Sequence, residues 1–220
     1  MRAFRPTDRS RGASGMFWVV AALWVVSGCA PRAGSLSGTP VPARFPSAEL
    51  ARGHHRILFR WEYVDQALAA KGEGIARVSS PDSVRMDFFI DGGLGGGYAI
   101  VIGDSVSTPG GDQVRRYLPP VALLWAALGR LAVPAVPDTV AKVDGGTLRA
   151  DIGRNPVWRV TFTDDRLSRL ERIVGGKRIE WVARNGQDVR YQNERSSRSL
   201  TLKISGSNEA PPFDSAIWRR

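Results

Sequence analysis

From residue 57 to residue 204, apolar and polar side chains alternate with a period of two in one segment after another. No other feature narrows the fold as much. Ile57, Phe59, Trp61 and Tyr63 alternate with Leu58, Arg60, Glu62 and Val64. Val84, Met86, Phe88 and Ile90 alternate with Ser83, Arg85, Asp87 and Phe89. Further on, Trp158, Val160 and Phe162 alternate with Arg159, Thr161 and Thr163. Ile179, Trp181 and Ala183 are set against Arg178, Glu180 and Arg184, and the segments 189–194 and 200–204 repeat the pattern. A period of two sends successive side chains to opposite faces of a strand. Segments 72–78 and 98–102 read as further strands, with Lys71-Gly72 near a hairpin turn, and two short strands are expected around 104–108. Asp164-Asp165, Gly175-Gly176, Asn185-Gly186 and Ser196-Ser197 supply tight turns. The chain is therefore mainly β within an α+β class. About ten strands, polar outside and apolar inside, predict one strongly curved antiparallel sheet.

Helices are few. Pro119-Pro120 opens and Pro134 closes an apolar stretch, 121–131, with no polar stripe. Such a helix has to be buried or lipid-facing. A short helix is expected at 112–117. Another is expected from Ala48 to about Arg56, capped by Ser47, with Glu49 in its first turn and His54 and His55 at its end.

Several chemistries find no support. One Cys rules out a disulfide framework or a Cys-rich zinc site, and two adjacent His leave little for a His-centred site. No metal and no cofactor are expected. The glycine run 92–97 is no dinucleotide fingerprint: starting from Gly93, Tyr98 stands where the last Gly should fall, and a strand follows. Asp87 and Asp91 read as outward strand or turn positions rather than an acid/base pair with Asp82, and no Ser lies in a G-x-S-x-G elbow. No enzymatic activity is expected. The net charge of +10 comes from basic residues spread over many strands, which argues against a nucleic-acid stripe.

The N-terminal end carries its own instruction. Four Arg precede an unbroken apolar run at 16–26, which is too short to span a bilayer as a helix. A basic head, a short apolar stretch and small residues make a secretory signal. The run ends in Val26-Ser27-Gly28-Cys29, which resembles the lipobox of bacterial lipoproteins. That resemblance implies cleavage before Cys29 and acylation of Cys29 as the membrane anchor. Losing residues 1–28 removes four Arg and one Asp, so the charge falls to +7. Ala30, where an Asp would imply inner-membrane retention, implies sorting to the outer membrane. Residues 29–45, rich in Pro, read as a lipidated tether. Residues 46–206 form the domain and 207–220 a tail.

These features together resemble the LolB-like outer-membrane lipoprotein receptors of the LolA/LolB group. The resemblance rests on the lipidated start, Arg60-Trp61 in a first strand, Leu94-Gly95 in a hairpin and Leu-Leu-Trp-x-x-x-Gly at 123–129. A run of C-terminal strands completes it. It implies an incomplete antiparallel barrel with helices covering its open side and an apolar cavity for acyl chains. Phe59, Trp61, Met86, Phe88, Trp125, Leu128, Trp158 and Trp181 are the expected lining. Leu94 is the expected membrane-inserting tip, although its loop is richer in Gly than the family's. The implied role is to receive lipoproteins, as a monomer facing the periplasm, from a LolA-like carrier and insert them in the outer membrane. Alternatives are an envelope scaffold with a filled core and, more weakly, an envelope hydrolase. Cavity volume separates carrier from scaffold.

Overall fold

The computed structural model describes residues 32–219 apart from 94, 110–114 and 116–117, so Cys29, Leu94 and most of the expected 112–117 helix lie outside the described residues. Six strands come first: β1 (Thr39–Val41), β2 (His54–Val64), β3 (Ala69–Ser79), β4 (Ser83–Ile90), β5 (Gly96–Ile102) and β6 (Ser105–Ser107). After the helix α1 (Val121–Ala127) come β7 (Val140–Asp144), β8 (Thr147–Ile152), β9 (Val157–Thr163) and β10 (Arg166–Val174). β11 (Lys177–Asn185), β12 (Asp188–Asn193) and β13 (Arg198–Glu209) complete one antiparallel sheet of thirteen strands. Its order is β1-β7-β8-β9-β10-β11-β12-β13-β2-β3-β4-β5-β6, open at β1 and β6. Two meanders are thus spliced where β13 returns beside β2, Ser199 facing Val64 and Glu209 facing His55.

The inward residues form two clusters on one face. Ala150, Ile152, Val160, Phe162, Leu170, Val182 and Val189 build the first, and Phe59, Trp61, Val78, Val84, Met86 and Val101 the second. The helix α1 joins them. Leu123 and Ala126 belong to the first cluster, Leu124 and Trp125 to the second. This explains why the helix has no polar stripe: it has apolar neighbours on both sides. It also requires a curled sheet. Laid flat, the seven steps from β10 to β5 would span about 34 Å at ~4.8 Å each, three times the ~10 Å width of a helix.

Close packing on the inner face also explains two glycines. Phe59 faces Gly74 and Trp61 faces Gly72 across the β2–β3 ladder. A Cβ on Gly74 would lie 2.4 Å from the Phe59 ring, and one on Gly72 would lie 1.8 Å from the Phe89 carbonyl oxygen. Rings on β2 and the backbone of β4 occupy the space that side chains would need.

The structure corrects several expectations. There are thirteen strands rather than about ten: the short strand expected near 104–108 is present as β6, whereas β1 and β7 lack a legible alternation. The region 48–56 is not a helix: His54 and His55 open β2, and His55 is bracketed by Val78 and Glu209. A Ser cap contributes about 1 kcal/mol, less than pairing on both sides. The helix ends at Ala127 rather than at residue 131, where Gly129 turns the chain with φ +93°. Val121–Ala127 is the one α-helix whose whole span lies among the described residues; Arg115 is also helical, and a 3-10 turn follows at Ser215–Trp218. Residues 32–41 are not a slack tether: Lys142 Nζ donates to the Leu36 carbonyl at 2.9 Å, Leu36 is buried, and β1 pairs with β7.

Candidate functional site

The apolar space beneath α1 is the candidate site. The helix begins after Pro119-Pro120 without a side-chain cap, so it is held by packing and by contacts near its C-terminal end. The indole Nε1 of the fully buried Trp125 donates to the Gly103 carbonyl at 2.8 Å. The Arg130 guanidinium stacks 4.7 Å from the Trp125 ring. Arg184 donates to the Ala127 carbonyl, which places a cation at the negative end of the helix. Burial holds the Arg184 guanidinium below its usual pKa.

Beneath the helix lies a cavity of about 50 Å³, lined almost wholly by apolar groups from Met86, Phe88, Leu124, Leu128, Val182 and Leu202. Ligand pockets run roughly from 300 to 1,000 Å³, so in this state the trough is filled by α1. A larger hollow, about 850 Å³, is an open groove lined by Glu49, Asp164, Asp165, Arg166 and Arg184 among others. Its charged walls suit water rather than an alkyl chain.

Met86, Phe88 and Leu128 line the cavity directly. Phe59 and Trp61 stand behind Phe88, edge-on at 5.6 and 5.8 Å between ring centroids. Trp125 packs in the second cluster and Trp158 against the first, neither on the cavity wall. Trp181 corrects the expected lining. It faces Glu171 and Gln192 on the opposite face of the sheet. There Arg169 lies 4.1 Å from its ring, Arg178 and Arg190 about 6 Å away, and its Nε1 donates to Glu194 at 2.9 Å. An irregularity opposite residues 172 and 173 of β10 shifts the phase of β11.

Glu180 takes the inward place. It is 3% exposed, yet its oxygens accept from Arg172 at 2.8 Å, the Tyr191 hydroxyl at 3.0 Å and Asn193 at 3.4 Å. Arg198 reaches the Tyr191 hydroxyl at 3.5 Å, and the Tyr63 hydroxyl donates to Asp65 at 2.7 Å. Tyr191 also lines the cavity, so the apolar trough ends against a polar network. Burial first, then the Asp65 carboxylate, pushes the Tyr63 phenol up to about 12. Burial and the Glu180 charge raise Tyr191 as well. The Tyr63 hydroxyl and two backbone N–H groups hold Asp65 below the usual carboxylate range. A polar residue in an otherwise apolar phase is the signal that could have located Glu180, but only with its partners known. Among the described residues no group of three or more His, Cys, Asp or Glu is arranged to hold a metal ion.

No protein-family model matches the chain, and no curated protein matches it. Similar solved structures include a LolA superfamily protein from Nitrosomonas europaea, with 8% identity over 79% of this chain and 93% of that one, at a TM-score of 0.49. A putative outer membrane lipoprotein-sorting protein domain from Vibrio parahaemolyticus shows 7% identity over 76% and 89%, at 0.47. A DUF1329 family protein from Desulfovibrio piger shows 7% identity over 77% and 90%, at 0.41.

Proposed function

We propose that this protein is a lipid-anchored envelope protein that binds acyl chains in the trough now occupied by α1. In this role it receives lipoproteins from a LolA-like carrier and inserts them in the outer membrane. The observation that carries the reading is a short helix, apolar all round, seated between two apolar half-sheets over a void with almost no polar lining. A seven-residue helix is about 10 Å long and 10 Å wide, so its displacement frees on the order of 800 Å³, within the range of lipid-sized pockets. In this reading Met86, Phe88 and Leu128 meet the chain first, Cys29 carries the anchor and Leu94 is the tip that enters the bilayer.

Native mass spectrometry of the mature protein from membranes, followed by titration with a fluorescent fatty acid, tests the site. One acyl ligand per protein is the expected result. Protein free of lipid that does not bind the probe refutes the reading. Cys29→Ala tests the anchor separately, by shifting the protein from the membrane to the soluble fraction. A second reading, a scaffold with a filled core, is favoured by the small size of the void, about 50 Å³.

A further inference from the structure

We propose that one rim of the sheet faces an anionic bilayer and that the docked N-terminal segment fixes this orientation. The inference rests on Cys29 being the lipid anchor. Strand ends alternate between two rims. The first rim carries the connections at 65–68, 91–95, 153–156, 175–176 and 194–197, and the second those at 80–82, 103–104, 145–146, 164–165 and 186–187.

Three independent features separate the rims. The first is where the chain leaves. Arg32 bridges to Lys177, the Ala33 N–H donates to Gly176 O at 2.9 Å, and Arg159 holds the Gly34 carbonyl at 2.8 Å. The chain upstream of Arg32 therefore departs from the 175–176 turn, on the first rim. Cys29 is three residues from Arg32 along the chain, a covalent reach of at most about 10 Å.

Exposed apolar side chains are the second feature. Seven large hydrophobic residues are exposed among the described residues: Leu58, Val64, Leu68, Phe89, Ile102, Val136 and Val140. Val64 and Leu68 flank the 65–68 turn, Phe89 is the penultimate residue of β4 and Val140 opens β7. Val136 lies just before β7, in the loop whose Asp138 pairs with Arg154 of the 153–156 turn. Five of the seven thus gather at or near the first rim, whereas a random scatter would divide them between the rims.

The third feature is charge. Every turn of the second rim carries or adjoins an aspartate: Asp82, Asp104, Asp144, Asp164 with Asp165, and Asp188. These six carboxylates stand against the adjoining Arg166 and the Arg149 that pairs with Asp144 at 3.9 Å. Aspartate suits tight turns, but the first rim makes equally tight turns mainly with Gly and Ser. There Asp65, Asp91 and Glu194 are offset by Lys177, Arg195 and the Arg178 that pairs with Glu194. With the first rim down, strands of about eight residues hold the aspartates some 25 Å from the surface, well beyond a Debye length of about 8 Å. Inverted, the molecule would press those carboxylates against anionic lipid while its own anchor pulled the other way.

The test uses the full lipidated protein on phosphatidylglycerol–phosphatidylethanolamine vesicles, with an environment-sensitive dye on Leu68→Cys or on Asp188→Cys. Acylation blocks the Cys29 thiol from the dye. Blue-shifted emission and several-fold stronger quenching by brominated lipid at position 68 than at 188 is the expected result. Equal quenching, stronger quenching at 188, or none at either site overturns the orientation. A blue shift at 68 without vesicles would instead show a second copy or another protein surface covering this rim, and also overturns it. Releasing the segment with Arg159→Ala and Lys142→Ala should reduce the contrast between the sites while the protein stays bound. An unchanged contrast would show that the docked segment does not set the orientation. Flotation separates the two failures: a parent protein that does not float removes the Cys29 anchor and this proposal with it, whereas one that floats without the contrast removes the orientation alone. Acyl binding in solution is read independently of both.

Discussion

Replacing Trp125 by Ala measures how the trough opens. The ring is completely buried in the second cluster, donates one hydrogen bond of 2.8 Å and carries the Arg130 guanidinium on its face. Truncating a buried Trp costs about 3–5 kcal/mol, including the lost hydrogen bond. At roughly 2–4 °C per kcal/mol for a domain of this size, the melting temperature should fall by roughly 6–20 °C. Acyl affinity should move the other way. If α1 must leave before a chain enters, the apparent dissociation constant is the intrinsic one divided by the open fraction. Each 1.4 kcal/mol taken from the closed packing then tightens apparent binding about tenfold, until the open form dominates. Calorimetry on the lipid-free protein and titration with a fluorescent fatty acid give the two numbers. A lower melting temperature with unchanged or weaker acyl binding would refute the displacement argument and leave α1 as ordinary core of a scaffold.

Three further outcomes follow from the geometry. Gly72→Ala, whose Cβ would meet the Phe89 carbonyl oxygen at 1.8 Å, should cost about 1–3 kcal/mol or more in chemical denaturation by forcing β3 from β4. Glu180→Ala should cost about 1–3 kcal/mol by leaving the Tyr191 hydroxyl and Arg172 without their acceptor, and Glu180→Gln should recover part of it. Tyr63, held up at about 12 in the fold against 10 unfolded, makes the native state bind more protons across that interval. The stability it contributes is present below pH 10 and lost as pH rises from 10 to 12; Tyr63→Phe should flatten that part of the alkaline unfolding curve.

What could be read from the chain was whatever repeats locally. β2, β4, β9 and β13 each alternate apolar and polar side chains, because a half-buried strand must do so whatever lies beside it. The helix at 121 was legible through its flanking prolines, and its lack of a polar stripe already demanded neighbours all round. Which neighbours was settled only when β13 returned to β2 and curled the sheet around it. Trp181 and Glu180 show the limit most clearly. Binary patterning sends the indole inward and the carboxylate outward, yet three arginines on the outer face cover the indole, while Arg172, Tyr191 and Asn193 satisfy the carboxylate inside. His54 and His55 were drawn into β2 by two ladders whose partners lie about 24 and 154 residues further along. The Pro-rich stretch reads as a free tether in isolation and is docked because β1 pairs with β7, Arg32 and Ala33 bridge to residues 176 and 177, and Lys142 and Arg159 on β7 and β9 hold its carbonyls. Period and composition are properties of neighbours in the chain. Face, partner and the satisfaction of a buried charge are properties of neighbours in space, and those exist only after the sheet has closed over its helix.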